Sequence, residues 1–364
     1  MRHTILLTLA LAVGLLGAGR AVAQLSGTLV VANKSGDSVS FIDLALEREV
    51  ARIPVGRAPH ELAISPDRTT VLVGEYGPDD AHGGTVAIVD LVRARVSGRI
   101  EVGEKTRPHS VAFMPDGVRA VVTLQEIDEL AIVDLESKRV LRTLPTGGRE
   151  SHMVRLSPDA SRAYVTARRG EGTLSVVFLD KEREPVVIQT GAGAEGMAVT
   201  PDGSEVWVLD RVAGTVSIVD TSSLSVKERF ESRPNANRVA ISEDARAVIT
   251  NGTSGTKIVQ YLNLYDVEAK SKIREVPLRG GTPHAGAFGI LTHEEHVFIS
   301  DTNGGRILVY DLDRLDSPKV LVTGRVEERP DGMVWSPHRV EGVVPVSVSE
   351  AEQLGKLDRE TADR

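Results

Sequence analysis

An eight-residue pattern of alternating apolar and polar positions returns seven times along the chain. Alternation of this kind predicts a β-strand with one buried face, and the Pro-Asp pair that ends most copies predicts a tight turn. Repetition at a regular period is typical of repeat architectures. The pattern therefore predicts a chain built from seven copies of one small β unit. The copies read HELAISPD, HSVAFMPD, HMVRLSPD, EGMAVTPD, NRVAISED, HAGAFGIL and DGMVWSPH, and they begin at residues 60, 109, 152, 195, 237, 284 and 331.

Three further strand-like runs follow each copy. The second run is rich in Val, Ile and Thr, the third ends in aspartate, and the fourth leads to glycine and then into the next copy. Four strands per unit at this spacing predict an all-β, seven-bladed β-propeller with four antiparallel strands in each blade. The aspartates of the third runs, which are 40 to 47 residues apart, are Asp43, Asp90, Asp134, Asp180, Asp220, Asp266 and Asp311.

The two ends of the repeat region complement each other. The segment that begins at residue 28 reads as strands two, three and four without a first strand, and the last copy, at residue 331, reads as a first strand without clear partners. Pairing the N-terminal strands with this C-terminal strand completes the seventh blade and hides edges that would otherwise be prone to aggregation. We therefore predict a closed propeller over residues 24–346, followed by a polar C-terminal tail of residues 347–364.

The first 23 residues are typical of a secretory signal peptide. Arg2 precedes an apolar run over residues 5–16, and Ala21-Val22-Ala23 provides a small-residue cleavage site. Because the apolar run is too short to cross a bilayer, it does not predict a transmembrane segment. We expect cleavage before Gln24 and a monomeric protein that is periplasmic or secreted.

Charge and cysteine content narrow the classes of function. The chain has 43 basic and 51 acidic residues, and loss of Arg2 and Arg20 with the signal leaves 41 against 51, a net charge of −10. This charge argues against non-specific binding of nucleic acid or anionic lipid. The absence of cysteine excludes disulfides, thiolate nucleophiles, iron–sulfur clusters and thioether-attached haem. Any metal or redox cofactor must therefore bind through histidine or carboxylate.

The stretch from Met197 to Thr221 reads MAVTPDGSEVWVLDRVAGTVSIVDT, and similar wording recurs over residues 27–337. This wording resembles the YVTN-type β-propeller repeat family. The resemblance implies the propeller fold but no single activity, since similar propellers include bacterial periplasmic proteins, archaeal surface-layer modules, lactonase-like enzymes and domains of haem or copper enzymes. Two copies depart from the pattern: HAGAFGIL lacks the Ser-Pro-Asp turn, and NRVAISED has SED in its place.

The first position of every copy is polar, and rotation about the propeller axis should bring these seven positions to one mouth of the central channel. We call this set the mouth ring. Consecutive members of the ring that can ligate a divalent transition metal are His284, Asp331, His60, His109 and His152. The alternative is that these residues bind no metal. They would then be polar because the channel mouth is exposed to solvent, and similar to one another because the repeat was duplicated. The mouth ring comprises His60, His109, His152, Glu195, Asn237, His284 and Asp331.

Loops between second and third strands should lie beside the mouth ring. The longest of them, residues 75–84, contains Asp79, Asp80 and His82, and another contains Arg168 and Arg169. Together with Glu195 and Asn237, these residues form a predicted ligand-binding rim. The alternative is a set of solvated loop residues with no role in binding.

Two classes of function remain open. The first is an exported binding or scaffold protein that presents the His-rich channel mouth to a small molecule, a metal or a periplasmic protein partner. The second is a metal-dependent enzyme, a lactonase-like hydrolase or lyase, with Glu195 or His82 as general base. The resemblance also allows a haem-type cofactor with an axial histidine from the same ring. The sequence contains no Gly-x-Ser-x-Gly, phosphate-binding loop or His-Glu-x-x-His motif, so no catalytic residue is assigned.

Overall fold

The computed structural model describes residues 25–342, apart from residues 181, 234, 253–259, 279–286, 303 and 323–328. Within these residues the chain forms 28 strands and no helix. The predicted signal peptide and C-terminal tail lie outside the described residues, and so does His284.

The strands follow one another in seven groups of four. The bounds are β1 (Thr28–Asn33), β2 (Ser38–Asp43), β3 (Arg48–Pro54), β4 (Pro59–Ile64), β5 (Thr70–Glu75), β6 (Thr85–Asp90), β7 (Arg95–Glu101), β8 (Pro108–Phe113), β9 (Arg119–Leu124), β10 (Glu129–Asp134), β11 (Arg139–Pro145), β12 (Ser151–Leu156), β13 (Arg162–Ala167), β14 (Thr173–Phe178), β15 (Val186–Gln189), β16 (Ala194–Val199), β17 (Glu205–Asp210), β18 (Thr215–Asp220), β19 (Ser225–Glu231), β20 (Arg238–Ile241), β21 (Arg246–Gly252), β22 (Gln260–Asp266), β23 (Ser271–Pro277), β24 (Ala287–His293), β25 (His296–Asp301), β26 (Arg306–Asp311), β27 (Arg314–Val322) and β28 (Pro330–Ser336).

The predicted fold is confirmed: seven four-stranded antiparallel sheets form a seven-bladed β-propeller. Six blades are continuous in sequence, from β4–β7 to β24–β27. The remaining blade has the order β28-β1-β2-β3, so the last strand of the propeller pairs with its first. Val30 is opposite Val334 and Val31 is opposite Met333 in this closing pair. Both edges of the N-terminal strand are therefore covered.

The core lies between adjacent blades. Seven apolar clusters occupy the seven junctions, and each is built mainly from Val, Ile and Leu of the inner three strands. In β1 and β2 every residue is buried, because these strands pack on both faces, whereas β3 is half-exposed at the outer edge. The alternation of apolar residues in the first strands thus places polar residues at the axis and apolar ones in the junctions.

In the part of the chain that the structure describes, we find no helix of the length and apolar character needed to cross a membrane.

Candidate functional site

All six described members of the mouth ring are buried at one end of the channel: His60, His109, His152, Glu195, Asn237 and Asp331. The three histidines lie ring against ring. The imidazole of His109 lies between those of His60 and His152, with centroids 4.3 Å and 3.8 Å away. The Tyr76 ring meets His60 and His109 edge-on, at 5.2 Å and 5.3 Å. The first strands of three successive blades thus build one aromatic wall.

His60 is paired with a carboxylate on one side of this wall. Its Nδ1 lies 3.0 Å from Oδ2 of Asp331, which also lies 3.8 Å from Nζ of Lys34. Burial opposes ionisation of Asp331, but His60 and Lys34 outweigh it and hold the pKa of this carboxyl below its ordinary value. Ligand atoms of His60, Glu61 and Asp331 lie within 4.8 Å of one another. Sequence reasoning did not include Glu61, although it directly follows His60.

His152 is paired with Glu195 on the other side. Its Nε2 lies 3.2 Å from Oε1 of Glu195, and its Nδ1 lies 3.3 Å from Oε1 of Gln125. Burial lowers the pKa of His152 to about 4, although Glu195 opposes this shift. For Glu195, burial favours the neutral acid, but His152, Arg238 and Arg168 outweigh it and lower the pKa of the carboxyl. The imidazole is therefore neutral and the carboxylate charged near neutral pH.

The middle histidine has no polar partner among the described residues. His109 is 1 % exposed, and neither Nδ1 nor Nε2 makes a hydrogen bond. Burial, and then the neighbouring His152 and His60, hold its pKa well below the ordinary value. Native structures seldom leave buried polar atoms unpaired, so this imidazole is the most unusual group of the site.

A buried ion pair spans the channel beneath the wall. Arg238 donates to Oε1 of Glu61 over 2.9 Å, and its Nη1 lies 3.6 Å from Oε1 of Glu195. Glu61 is on β4 and Arg238 begins β20, which belong to blades that are not neighbours. Both charges occupy the second position of the repeated pattern, directly after the mouth ring. The sequence therefore contained the signal, but it did not show that the two side chains meet.

The turn before each first strand fixes the backbone around the mouth. Two residues before the mouth ring, the backbone has positive φ in all six described copies, although only one copy has glycine there. In four of these copies the carbonyl of this residue accepts a hydrogen bond from the residue that follows a second strand, as in Gln125 N–H to Arg107 O, 3.2 Å. The positive-φ residues are Ala58, Arg107, Glu150, Gly193, Asn235 and Arg329.

Residues that follow the second strands form a further set around the mouth. Thr302 follows β25 in this way, and we call the other five described residues the outer ring: Lys34, Tyr76, Gln125, Arg168 and Arg211. The last four each come sixteen residues after a member of the mouth ring. Sequence reasoning selected only Arg168 from this set, although the constant spacing could also have identified Tyr76, Gln125 and Arg211.

Four members of each ring line a cavity of about 600 Å³. Its acidic lining residues are Asp37, Asp79 and Glu195. Arg57 and Arg329 are exposed and have no ion-pair partner among the described residues, so their charge is available to a ligand. The cavity is therefore locally cationic in a chain of net negative charge. Its basic lining residues are Lys34, Arg57, Arg107, Arg168, Arg211, Arg329 and, at its base, Arg238.

The predicted rim is only partly assembled at this cavity. Glu195, Asp79 and Arg168 line it, as do the predicted metal ligands His60, His109 and His152. Asp79 is exposed and lies 2.5 Å from Arg107. The other predicted rim residues are outside the lining: Asp80 is exposed, His82 lies 3.4 Å from Glu126, Arg169 lies 3.4 Å from Glu150, and Asn237 is buried beside Arg238, which donates to its carbonyl.

Comparison with known proteins supports the fold. No family model matches the chain. The uncharacterized protein YncE of Salmonella typhi and that of Salmonella typhimurium are each 24% identical over 196 residues, which is 52% of this chain and 53% of the relative. The chain thus spans about half the length of the curated relatives it matches.

Three solved structures share the propeller architecture. A functionally unknown protein from Desulfotomaculum acetoxidans has a TM-score of 0.68 at 15% identity, covering 86% of this chain and 100% of that chain. Kuenenia stuttgartiensis hydrazine synthase has a TM-score of 0.62 at 20% identity, covering 70% and 77%. The dihydro-heme d1 dehydrogenase NirN, in complex with DHE, has a TM-score of 0.61 at 15% identity, covering 85% and 75%. At these identities the likeness shows the fold alone.

Proposed function

We propose that this protein is an exported, YVTN-type propeller that binds a small organic anion in the cavity at the channel mouth. The observation that carries the proposal is the lining: seven basic side chains against three acidic ones. A concentration of positive charge in a walled cavity attracts anions even when the whole protein is negative. The volume, about 600 Å³, is typical of small-molecule sites.

Some of the basic side chains of the cavity form ion pairs with carboxylates of the protein, whereas others form none with the described residues. Arg238 is held by Glu61, and Arg168 is held by Glu150 and Glu195. Arg57 and Arg329 are exposed and have no carboxylate partner among the described residues. A ligand carboxylate or phosphate would thus meet the guanidinium groups of Arg57 and Arg329 at the outside and the histidine wall beneath them.

The rim arginines provide the test. We expect tricarballylate to bind the wild type and to bind the Arg57→Gln/Arg329→Gln variant about tenfold or more weakly, since hydrogen bonds to charged groups are worth about 1.5–3 kcal/mol each. Glutamine is shorter than arginine, but it keeps a polar side chain without the charge, and it is no more strained than arginine at the positive φ of residue 329. Isothermal calorimetry at low and high salt measures both the affinity and its expected decrease with salt.

A matched control removes the same charge elsewhere. Arg95 and Arg314 are exposed beside Asp90 and Asp311, in turns at the other end of the blades. The Arg95→Gln/Arg314→Gln variant should bind tricarballylate as the wild type does. Equal affinity of all three proteins, or no binding by the wild type, would count against the proposal.

A second candidate function is supported by the approach of His60, Glu61 and Asp331. One imidazole and two carboxylates suit a divalent transition metal, and a metal-bound water would provide the nucleophile of a hydrolase or lyase. Against this, Glu61 and Asp331 already face Arg238 and Lys34, which a cation would have to displace electrostatically.

Elemental analysis separates the two candidates. Under the anion proposal, wild-type protein purified from periplasm without chelator or added metal contains far less than one transition-metal ion per chain. A near-stoichiometric metal that is lost in His60→Gln and retained in His293→Gln, a control from the opposite channel end, would favour the metal-dependent enzyme. The absorption spectrum of the same sample tests the haem-type alternative.

A further inference from the structure

The imidazole of His109, which has no hydrogen-bond partner among the described residues, indicates which chemical groups a ligand of this cavity should have. Of the three touching histidines, His60 lies against Asp331 and His152 lies between Glu195 and Gln125. Only His109 has both ring nitrogens buried and without a hydrogen-bond partner among the described residues. Nδ1 of His60 makes no hydrogen bond either, but it lies 3.0 Å from the Asp331 carboxylate. The side chain of His109 nevertheless lines the same cavity as Arg57 and Arg329.

A neutral imidazole has one N–H that donates and one nitrogen that accepts. His109 therefore needs both a hydrogen-bond donor and an acceptor from a ligand, whereas the arginines at the mouth only donate. A carboxylate can only accept, and an alkyl group can do neither, whereas a hydroxyl can do both. The nitrogens of His109 are covered, so pairing requires the imidazole to turn about its Cβ–Cγ bond, a torsion with a broad energy minimum.

We propose that the anion bound in this cavity is a polyhydroxylated carboxylate, with its carboxylate at Arg57 and Arg329 and a hydroxyl against His109. This inference rests on the proposed anion-binding function and specifies its ligand class. The site then binds the two ends of such a molecule by two kinds of interaction. The arginines attract the carboxylate by charge, and the neutral imidazole of His109 forms hydrogen bonds with the hydroxyl. The Tyr76 ring stands nearly perpendicular to that of His109, with centroids 5.3 Å apart, and it lines the same cavity.

Three probes of one shape test the proposal by calorimetry. Quinate and cyclohexanecarboxylate share a ring and a carboxylate and differ in hydroxyl groups, whereas myo-inositol has the hydroxyls without the charge. We expect wild-type protein to bind quinate about tenfold more tightly than cyclohexanecarboxylate, as one or two recovered hydrogen bonds would give. We expect myo-inositol to bind most weakly.

The His109→Phe variant locates the preference. Phenylalanine keeps a planar ring but has no polar atom, so we expect it to retain affinity for cyclohexanecarboxylate and to reduce the ratio between the two carboxylates to about one. His293→Phe, at the opposite end of the channel, should keep the wild-type ratio.

The outcomes distinguish this inference from the proposal beneath it. Equal binding of the two carboxylates by wild type, with both tighter than myo-inositol, overturns the hydroxyl preference and leaves anion binding in place. If the two carboxylates bind no better than myo-inositol, both the hydroxyl preference and the proposed anion binding are overturned. A tenfold ratio that persists in His109→Phe shows that the hydroxyls are recognised elsewhere. The wild-type ratio decides the first question even if the variant does not fold.

Discussion

Replacing Arg238 with methionine is expected to lower the free energy of unfolding by about 3–5 kcal/mol, as removal of one partner from a buried ion pair does. The substitution leaves Glu61 buried across the channel without its cation, and it takes from Glu195 one of the charges that keep it ionised. Urea denaturation followed by tryptophan fluorescence measures the change. This loss would be the largest from any single substitution at the candidate site.

A double variant identifies the cause. In Glu61→Met/Arg238→Met both charges are gone, and apolar replacement of a whole buried pair is often close to neutral. We therefore expect most of the lost stability to return, with a remaining deficit at Glu195. Arg314→Met, at an exposed pair with Asp311, should change stability by less than about 1 kcal/mol. An Arg238→Met protein as stable as the wild type would show that the pair is not held across the channel.

Acidification should destabilise the propeller between pH 6.5 and about 4 through His152. The pKa of this histidine falls from 6.5 to about 4 on folding, because burial disfavours the charged imidazole. In that interval the unfolded chain binds a proton that the folded protein does not, so stability falls as the pH falls, by about 1.4 kcal/mol per pH unit for this group. His109, whose pKa is also lowered by burial, adds a loss of the same sign.

The groups that face His152 do not reverse this trend. Glu195 is already ionised throughout the interval, and Arg168 and Arg238 keep their charge. In His152→Gln we expect a shallower dependence of the unfolding midpoint on pH, whereas exposed His338→Gln should reproduce the wild-type slope. Parallel curves for the wild type and His152→Gln would contradict a neutral, buried His152.

Much of the fold could be predicted from the sequence because its determinants are local and repeated. The alternation in each eight-residue pattern places one face of a strand in the core, and the incomplete first and last units require each other, as the pairing of Val30 with Val334 shows. The same register brought His60, His109 and His152 to one mouth. Seven repetitions of a weak local signal make a strong one.

The contacts within the candidate site could not be predicted, because they depend on distances between blades that the local sequence pattern does not specify. Whether Glu61 reaches Arg238 is set by the width of the channel and the lengths of two side chains 177 residues apart. The positive φ at Arg107 and Arg329 could not be recognised because glycine, the usual signal, is absent there. The net charge indicated an acidic protein and gave no sign of a cationic site. That site arises because the propeller fold brings basic side chains from several blades to one cavity.

The pairing of the histidines was equally hidden. The sequence shows four histidines at equivalent positions, but their partners differ: Asp331 for His60, Glu195 for His152 and none for His109 among the described residues. These differences arise because neighbouring blades contribute different residues to the same mouth ring. The residues that depart from the repeat therefore give the site its chemistry.

Long-range ¹H–¹⁵N NMR of the imidazoles during titration with cyclohexanecarboxylate tests the central claim, that an organic anion binds at this mouth, most directly. We predict saturable shifts in the resonances of His60, His109 and His152, with His293 and His338 at the opposite end unchanged. Shifts confined to His293 and His338, or no shift in any imidazole at saturating ligand, would contradict it.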